Sequence, residues 1–392
     1  MTDAEKVGKY TVKQVVGQGG MGKVYKAVSP ENRFVIIKQL LISSANIEQR
    51  FKREASIMNT LRHPNIVPVY ETFKLGKSNY IVMEFIDGLS LEDLIKRNRT
   101  IAPTPAMLIF LEACRGIRYA HDQGVIHRDI KPDNVLLSKK GAVKIADFGI
   151  ATALPDTDEE LTKTGMVMGT PAYMSPEQIQ DAKHVEARTD IYSLGVLLYQ
   201  MLTGSLPYGT TMNTATIRKI CSGECEPAEN LNPAIPKIFL TCIKKTMNAK
   251  PSKRYNSVDK IIKLFTKPMQ SYSNQNDISN AIASYIAGNR VADVFAGKDR
   301  SPAQIKIDQK LYKLKDRVTI GRDKENDIVI GGANSVSRKH AVIEKKADRC
   351  FVTDLGSTNG TFLNNKKITA NRMEPIKPGD TLKIGEKEAQ LL

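Results

Sequence analysis

One polar run in the middle of this 392-residue chain constrains its fold more than any other segment. It reads His127-Arg128-Asp129-Ile130-Lys131-Pro132-Asp133-Asn134 and lies between the apolar segments Val125-Ile126 and Val135-Leu136-Leu137. Taken alone, the run fits a polar turn between two strands, because His-Arg-Asp occurs often by chance. Its meaning therefore depends on whether other polar motifs accompany it in a fixed order.

A glycine-rich segment follows the alternating strand Tyr10–Val16 near the N-terminus. It reads G-x-G-x-x-G-x-V and consists of Gly17, Gln18, Gly19, Gly20, Met21, Gly22, Lys23 and Val24. Glycines let the backbone approach phosphates closely and present N–H donors. The same letters occur in dinucleotide-binding turns and flexible loops. However, Val24–Val28 predicts a strand, whereas a dinucleotide-binding turn requires a helix, so a β-hairpin over a nucleotide is favoured.

Three charged residues follow or lie within apolar elements. Lys38 ends the β-branched strand Phe34–Lys38, which taken alone is also consistent with a solvated strand end. Glu54 lies in a helical stretch where Phe51 and Met58 share its face. Asp147 opens Asp-Phe-Gly directly after a short apolar strand. The oxygens of an aspartate and an asparagine, together with phosphates, are ligands that Mg²⁺ prefers.

These motifs, in this order from about Tyr10 to Phe265, resemble the eukaryotic-like Ser/Thr protein kinases found widely in bacteria. The resemblance implies an α+β chain whose bilobal kinase domain covers residues 1–266. Its mostly β N-lobe is expected at about 10–86 and its helical C-lobe at about 87–266. ATP is the implied nucleotide, with Mg²⁺ or Mn²⁺ as the metal.

The resemblance also implies a role for each motif residue. Asp129 becomes the catalytic base, and Lys131, Lys38 and Glu54 complete the catalytic set. The implied metal ligands are Asn134 and Asp147. Contacts with ATP are expected from Gly17, Gln18, Gly19, Gly20, Met21, Gly22, Lys23, Val24, Ile36, Lys38, Met83, Glu84, Ile86 and Leu136. Ile36 replaces the alanine usual in the family and should narrow the adenine pocket.

Regulation and substrate class follow from the same resemblance. Lys131 and Thr170 are the Ser/Thr-kinase forms, and the segment from Asp147 to Glu177 suits an extended peptide better than a small molecule. Thr162 and Thr164 lie where related kinases autophosphorylate. A phosphothreonine there would pair with Arg128. Two further family features are expected: an ion pair between Glu177 and Arg254, and Asp190 as an anchor of the His127-Arg128 backbone.

The end of the chain carries a second set of motifs. They are Gly321-Arg322, Ser337-Arg338-Lys339-His340 and the stretch Asp354–Thr361, which separate short β-rich runs. This set resembles a forkhead-associated (FHA) domain over about 303–392, an all-β sandwich that captures phosphothreonine. The implied phosphothreonine-binding residues are Arg322, Ser337, Arg338, Thr358 and Asn359. Gly321 and His340 are expected to hold the loops in shape.

The linker, 267–302, is predicted to contain one short helix. Asp277 is its expected N-cap, and Ile278, Ile282, Tyr285 and Ile286 form an apolar face before Gly288. Such a face must dock on another surface. The sequence favours the kinase C-lobe or the FHA sandwich over a second copy of the chain, without choosing between the first two.

The formal net charge of +16 raises the possibility of a nucleic-acid or membrane-surface partner. The basic residues are scattered, however, and no nucleic-acid motif is present, so ATP and phosphopeptides are the expected anions. Five cysteines without metal spacing, and no apolar leader or membrane span, predict a cytoplasmic protein.

Two kinds of function remain open from the sequence. The favoured one is an active kinase that phosphorylates proteins and itself, with the FHA domain recruiting phosphorylated partners or another copy of the chain. The alternative is a low-activity or pseudokinase scaffold that acts mainly as a phosphothreonine-binding adaptor. The presence of Lys38, Asp129 and Asp147 argues against the alternative.

Overall fold

The computed structural model describes residues 5–19, 22–41, 58–148, 171–181, 185–209, 211, 213–295, 304–308, 310–332, 334–346 and 349–392. The chain divides into two units, Met1–Glu226 with Lys237–Val291, and Pro227–Pro236 with Ala292–Leu392. Among the described residues, no helix is both long enough and apolar enough to cross a bilayer.

The strands of the first unit are β1 Lys6–Val7, β2 Tyr10–Gly19, β3 Gly22–Val28, β4 Phe34–Leu41, β5 Val69–Leu75, β6 Ser78–Glu84, β7 Gly88–Ser90, β8 Val135–Ser138 and β9 Val143–Ile145. The described α-helices are α1 Leu91–Asn98, α2 Pro103–Asp122, α3 Pro176–Gln180, α4 Arg188–Thr203, α5 Thr214–Ser222, α6 Ala228–Leu231, α7 Lys237–Thr246, α8 Val258–Leu264, α9 Thr266–Met269 and α10 Gln275–Ile286. All but α6 belong to the first unit.

Strands β1–β6 form one antiparallel sheet in the order β1-β2-β3-β4-β6-β5. Alternating side chains of these strands fill a small core, in which Phe73 stacks between Tyr10 and Tyr80. The register places Lys38 of β4 opposite Val24 of β3. This sheet is the expected N-lobe.

The C-lobe is helical because its two central helices are apolar on almost every side. Helix α2 begins with a proline at its N-terminus, where the missing N–H costs nothing, and most of its residues are buried. Helix α4 is buried from Thr189 to Leu202 and ends at Gly204, whose φ is 72°. The small sheet β7-β8-β9 contacts α1 through β7 and β8 and contacts α2 through β9. It carries the segments that precede Asp147 and follow Asn134.

A buried ion pair connects α3 to the end of the C-lobe, as the family resemblance implied. Arg254 has no exposed side-chain surface, and its guanidinium donates to both Glu177 oxygens at 2.5 and 2.8 Å. Burial alone would raise the pKa of Glu177, but the contacts with Arg254 outweigh it and lower that pKa. The pair therefore stays ionised and holds α3 in place.

The linker helix is α10, and its position resolves the choice that the sequence left open. Ile278, Ile282 and Ile286 are buried, and the helix packs on α2 of the C-lobe. The N-cap differs from the expectation. Asn274 accepts from the backbone N–H of Asp277, whose carboxylate in turn accepts from the backbone N–H of Asn274, because Asp277 lies in the first turn.

The second unit contains two sheets that share one core. Their strands are β10 Gln304–Ile307, β11 Lys310–Lys313, β12 Arg317–Gly321, β13 Ile328–Val329, β14 Ala341–Lys346, β15 Arg349–Asp354, β16 Thr361–Leu363, β17 Lys366–Lys367, β18 Met373–Ile376, β19 Thr381–Ile384 and β20 Lys387–Leu391. The sheet orders are β11-β10-β20-β19-β16-β17 and β13-β12-β14-β15-β18. Ile305 and Leu382 of the first sheet belong to the same core as Ile320 and Val352 of the second. This arrangement is a β-sandwich.

We predict that Arg254→Ala lowers the unfolding free energy of the first unit by about 3–5 kcal/mol, since it leaves the Glu177 carboxylate without its partner. Urea unfolding of the intact chain, followed by the far-UV circular dichroism of helices, measures the change. The control is Lys139→Ala, which removes the exposed ion pair with Asp87 and should cost less than about 1 kcal/mol. Equal midpoints for the two variants would contradict the structural role of Arg254.

Candidate functional site

The backbone of the polar run is held by one carboxylate from α4. Asp190 accepts the backbone N–H groups of His127 and Arg128, each at 2.8 Å, and lies 2.7 Å from Nε2 of His121. Burial of Asp190 is complete and would raise its pKa, but the hydrogen bonds from His121 and His127 outweigh it and lower that pKa. Asp190 therefore acts as a charged anchor, as the family resemblance implied. It holds Arg128 at a φ of 67°, in the left-handed region.

Asp129 lies at the centre of a short polar cluster within the same loop. Its Oδ2 accepts from Nζ of Lys131 at 2.7 Å and from Nδ2 of Asn134 at 3.1 Å. Nδ2 of Asn134 also donates to the Asp129 carbonyl at 2.8 Å. These bonds fix the Asp129 carboxylate and leave Oδ1 as the oxygen that a substrate hydroxyl can approach. They also leave Oδ1 of Asn134 as the atom suited to a cation.

His127 ties this loop to the segment that carries Asp147. Its Nδ1 accepts the backbone N–H of Asp129 at 3.2 Å, so the ring proton lies on Nε2, which donates to the Ala146 carbonyl at 2.9 Å. The backbone N–H of Ala146 donates to the Asn134 carbonyl at 2.9 Å. The His127 ring also lies 4.5 Å from the Phe148 ring, between centroids. Two hydrogen bonds and one ring contact therefore join the polar loop to the segment that carries Asp147.

Lys38 and Asp147 approach each other from opposite lobes. Nζ of Lys38 lies 3.0 Å from Oδ2 of Asp147, and both side chains are partly buried. Asp147 has a φ of 62°, which turns the chain after β9 and directs its carboxylate toward Lys38. The expected partner of Lys38, Glu54, lies outside the described residues.

The glycine-rich segment forms the β2–β3 hairpin, with Gly17 opposite Val24 and Gln18 opposite Lys23. Gly22 needs to be glycine, since a Cβ there would lie 2.0 Å from the Gln39 carbonyl oxygen. Gly20 and Met21 lie outside the described residues. Among the other residues expected at the nucleotide, Ile36 pairs with Met83 across β4 and β6, and Leu136 lies on β8.

Met83 also lines a small apolar cavity next to Asp147. The other lining residues are Met58, Leu61, Ile66, Val67, Val69, Asp147 and Phe148. Glu84, one residue further along, pairs with Nζ of Lys144 on β9 at 2.7 Å. The sequence did not predict this ion pair, because Lys144 lies sixty residues away and belongs to no motif.

A second candidate site lies at one end of the β-sandwich. A polar pocket of about 400 Å³ brings together all of the predicted phosphothreonine-binding residues. They are Arg322, Ser337, Arg338, Thr358 and Asn359, joined by Asn334, Ser335 and Val336. The Ser337 hydroxyl accepts the backbone N–H of Thr358 at 3.1 Å, and the Asn359 side chain donates to the Ser335 carbonyl at 2.9 Å. A cationic fork with hydroxyl and amide donors suits a phosphate.

Two side chains at the base of the pocket hold its loops. Asp354 accepts two backbone N–H groups, and hydroxyls of Ser357 and Thr361 at 2.6 Å each. Nδ1 of His340 accepts the Ser337 N–H at 3.1 Å, and Nε2 faces the Gly360 carbonyl at 3.3 Å. Burial lowers the pKa of His340, so the neutral form that this pattern needs is favoured. His340 thus has the role expected from the sequence, whereas Asp354 was part of a recognised motif without an assigned role.

Comparison with known proteins gives two domain matches. The model of the protein kinase domain matches residues 10–265, and the model of the FHA domain matches residues 318–385. These matches confirm the expected α+β class, with a kinase fold followed by a β-rich FHA region.

Curated relatives match the kinase part. A probable serine/threonine-protein kinase of Clostridium perfringens is 38% identical over 258 residues, covering 65% of this chain and 37% of the relative. The serine/threonine-protein kinase PknB of Mycolicibacterium smegmatis is 37% identical, over 64% of this chain and 41% of the relative. PrkC of Bacillus subtilis, also a serine/threonine-protein kinase, is 36% identical over 64% and 39%.

The chain thus spans about two fifths of the length of these relatives. The kinase model covers more than half of the chain. Asp129 bonds to Asn134, whose carbonyl bonds to the residue before Asp147, and Asp147 pairs with Lys38. The chain belongs to the protein kinase family and carries an FHA domain after its kinase domain.

Proposed function

We propose that this chain is an ATP-dependent serine/threonine protein kinase whose FHA domain binds phosphothreonine. The observation that carries the proposal is a hydrogen-bonded cluster. Asp129 bonds to Lys131 and Asn134, and His127 links this cluster to the segment of Asp147. Phosphoryl transfer requires a base, metal ligands and a cation for the phosphates, and the described residues Asp129, Asn134, Asp147 and Lys38 offer these groups.

Each group has a role in the proposed reaction. Asp129 accepts the proton of the substrate hydroxyl through Oδ1, while Lys131 offsets negative charge on the transferring phosphoryl group. Lys38 orients the nucleotide phosphates. The expected adenine contacts of Met83, Glu84, Ile86 and Leu136 belong to the same proposal.

The donor set also fits a divalent cation. Asn134 and Asp147 offer hard oxygen ligands, which Mg²⁺ and Mn²⁺ prefer, and the amide nitrogen of Asn134 is already directed at Asp129. A cation held there supplies positive charge against the ATP phosphates. Protein hydroxyls rather than small molecules are the proposed acceptors, because Lys131 beside Asp129 matches the Ser/Thr-kinase pattern.

The remaining assignments extend this proposal. The proposed bounds are 1–266 for the kinase domain, 267–302 for a linker whose helix α10 packs on the C-lobe, and 303–392 for the FHA domain. The FHA domain recruits phosphorylated proteins or another copy of the chain. We place the chain in the cytoplasm for two reasons. ATP is abundant in that compartment, and all of the cysteines, which lie among the described residues, are free thiols.

We predict that Asp129→Asn lowers peptide phosphorylation by about 10²- to 10⁴-fold, the usual contribution of a general base. The assay uses the intact chain with Mg²⁺, labelled ATP and a degenerate Ser/Thr peptide library. Asp122→Asn, which makes the same change at an exposed position of α2, is the control and should retain full activity. Full activity of Asp129→Asn would exclude Asp129 as the catalytic base, whereas absence of phosphorylation by the unaltered chain would favour the pseudokinase alternative.

Autophosphorylation is expected on Thr162 and Thr164, which lie outside the described residues. Mass spectrometry after incubation with Mg²⁺ and ATP should locate phosphate there, and replacing both with alanine should lower activity toward peptides several-fold. The matched control is Thr157→Ala, in an acidic stretch of the same segment. Full activity of the double variant would exclude these threonines as the switch.

The FHA pocket gives an independent prediction. Arg322→Ala should weaken binding of a phosphothreonine peptide by about 10- to 100-fold, because it removes a charge-assisted hydrogen bond to phosphate. Isothermal titration calorimetry on the intact chain measures the affinity, with the unphosphorylated peptide as a blank. Arg317→Ala removes an exposed arginine that pairs with Glu344 and should leave the affinity unchanged. An unaltered affinity in Arg322→Ala would exclude Arg322 as a phosphate ligand.

A further inference from the structure

Helix α10 lies beyond residue 265, where the kinase-domain match ends, yet it is part of the C-lobe. Its buried isoleucines pack on α2. Nη2 of Arg97 donates to the carbonyl of Ile286 at 2.6 Å, and the Tyr285 hydroxyl accepts the backbone N–H of Ala102 at 3.3 Å. The C-terminal half of the helix is therefore fastened to α1 and to the start of α2.

The N-terminal end of α10 contacts a buried charge. Nε2 of Gln275 donates to Oε2 of Glu112 at 2.8 Å, and Glu112, in the middle of α2, is only 2% exposed. The same Oε2 accepts Nδ2 of Asn65 at 2.7 Å, and Oε1 contacts Arg115. A buried carboxylate is tolerated only when donors surround it. Gln275 supplies one of these donors from outside the matched kinase domain.

Asn65 connects this charge to the strand that leads to Asp147. Its side chain also donates to the Val143 carbonyl at 2.9 Å, and its own carbonyl accepts the Ile145 N–H at 2.9 Å. The approach of Asn65 to α2 requires Gly116, because a Cβ there would lie 2.7 Å from the Asn65 carbonyl oxygen. The residues before β5 are thereby bonded to β9, two residues ahead of Asp147.

Helix α10 also touches the turn between β8 and β9 directly. Gly141, in that turn, has a φ of 81°, and a Cβ on it would lie 1.8 Å from the Ser279 carbonyl oxygen. The backbones of the turn and of α10 are therefore in close contact. The β8–β9 hairpin follows Asn134 and precedes Asp147, so both proposed metal ligands flank the element that α10 contacts.

We propose that α10 is a positioning element of the catalytic centre, acting through Gln275, Glu112 and Asn65 and through the Gly141 turn to fix the β8–β9 hairpin between Asn134 and Asp147. This inference rests on the proposed kinase function. Loss of the α10 contacts releases β9, which misplaces the proposed metal ligands, while the contact between Asp129 and Lys131 within the polar loop remains.

Two variants of the intact chain test this inference. Ile282→Ala weakens docking of α10 and is matched by Asn280→Ala on the exposed face of the same helix. Gln275→Glu replaces the donor to Glu112 with a carboxylate and is matched by Gln270→Glu, an exposed glutamine before the helix. Gln275→Glu leaves the buried isoleucines of α10 in place. The inference therefore stays testable even if Ile282→Ala fails to fold.

The first measurement is steady-state phosphorylation of a peptide over a range of free Mg²⁺. We expect both test variants to raise the half-saturating Mg²⁺ concentration at least three-fold, with recovery of kcat at high Mg²⁺ and an unchanged KM for peptide. The controls should behave as the unaltered chain. A role in stability alone would lower the melting temperature without changing the Mg²⁺ dependence, and that result would overturn the inference.

The second measurement does not depend on activity. Hydrogen exchange of the Ile145 and Ala146 amides, in the absence of nucleotide, should become at least ten-fold faster in both test variants than in their controls. Faster exchange in α10 without a change at Ile145 and Ala146 would overturn the inference. Faster exchange at these amides in a chain that phosphorylates nothing would instead support the positioning role while refuting the proposed kinase function.

Discussion

The buried carboxylate of Asp190 is the interaction on which the catalytic loop depends. It bonds the backbone of His127 and Arg128 from inside α4, and so holds Arg128 in a conformation that a non-glycine residue rarely adopts. With that backbone fixed, the His127 ring reaches Ala146. A charge that would be costly to bury is retained because its donors satisfy it and because it sets the direction of Asp129.

Around this anchor, the site is assembled from segments that hydrogen bonds join in series. Lys38 comes from the N-lobe, Asp129 and Asn134 from the polar loop, and Asp147 from the end of β9. Hydrogen bonds from Gln275 to Glu112, and from Asn65 to Glu112 and to Val143, also join α10 to β9. In the proposed mechanism, the placement of Asn134 and Asp147 as metal ligands therefore depends on a helix that follows the region matched by the kinase-domain model.

The FHA pocket follows the same physical rule on a different fold. The proposed phosphothreonine-binding side chains lie on loops, which do not hold their shape by themselves. Asp354 and His340 lie at the base and satisfy the loop donors. The proposed phosphothreonine-binding residues were recognisable from the sequence. Asp354 was recognisable as a motif residue, but its role appears only in the bonds that it makes.

The sequence by itself determined the order of the motifs, the strands and helices that carry them, and the residue types at both sites, since these depend on local spacing and side-chain chemistry. Gly17, Lys38, Asp129 and Asp147 were identified from the order and spacing of their motifs along the chain. Only the tertiary structure decided that α10 docks on α2, that Gln275 donates to Glu112, and that Glu84 pairs with Lys144. The last two contacts join residues 163 and 60 positions apart, and packing geometry selects them among many partners of equal chemistry.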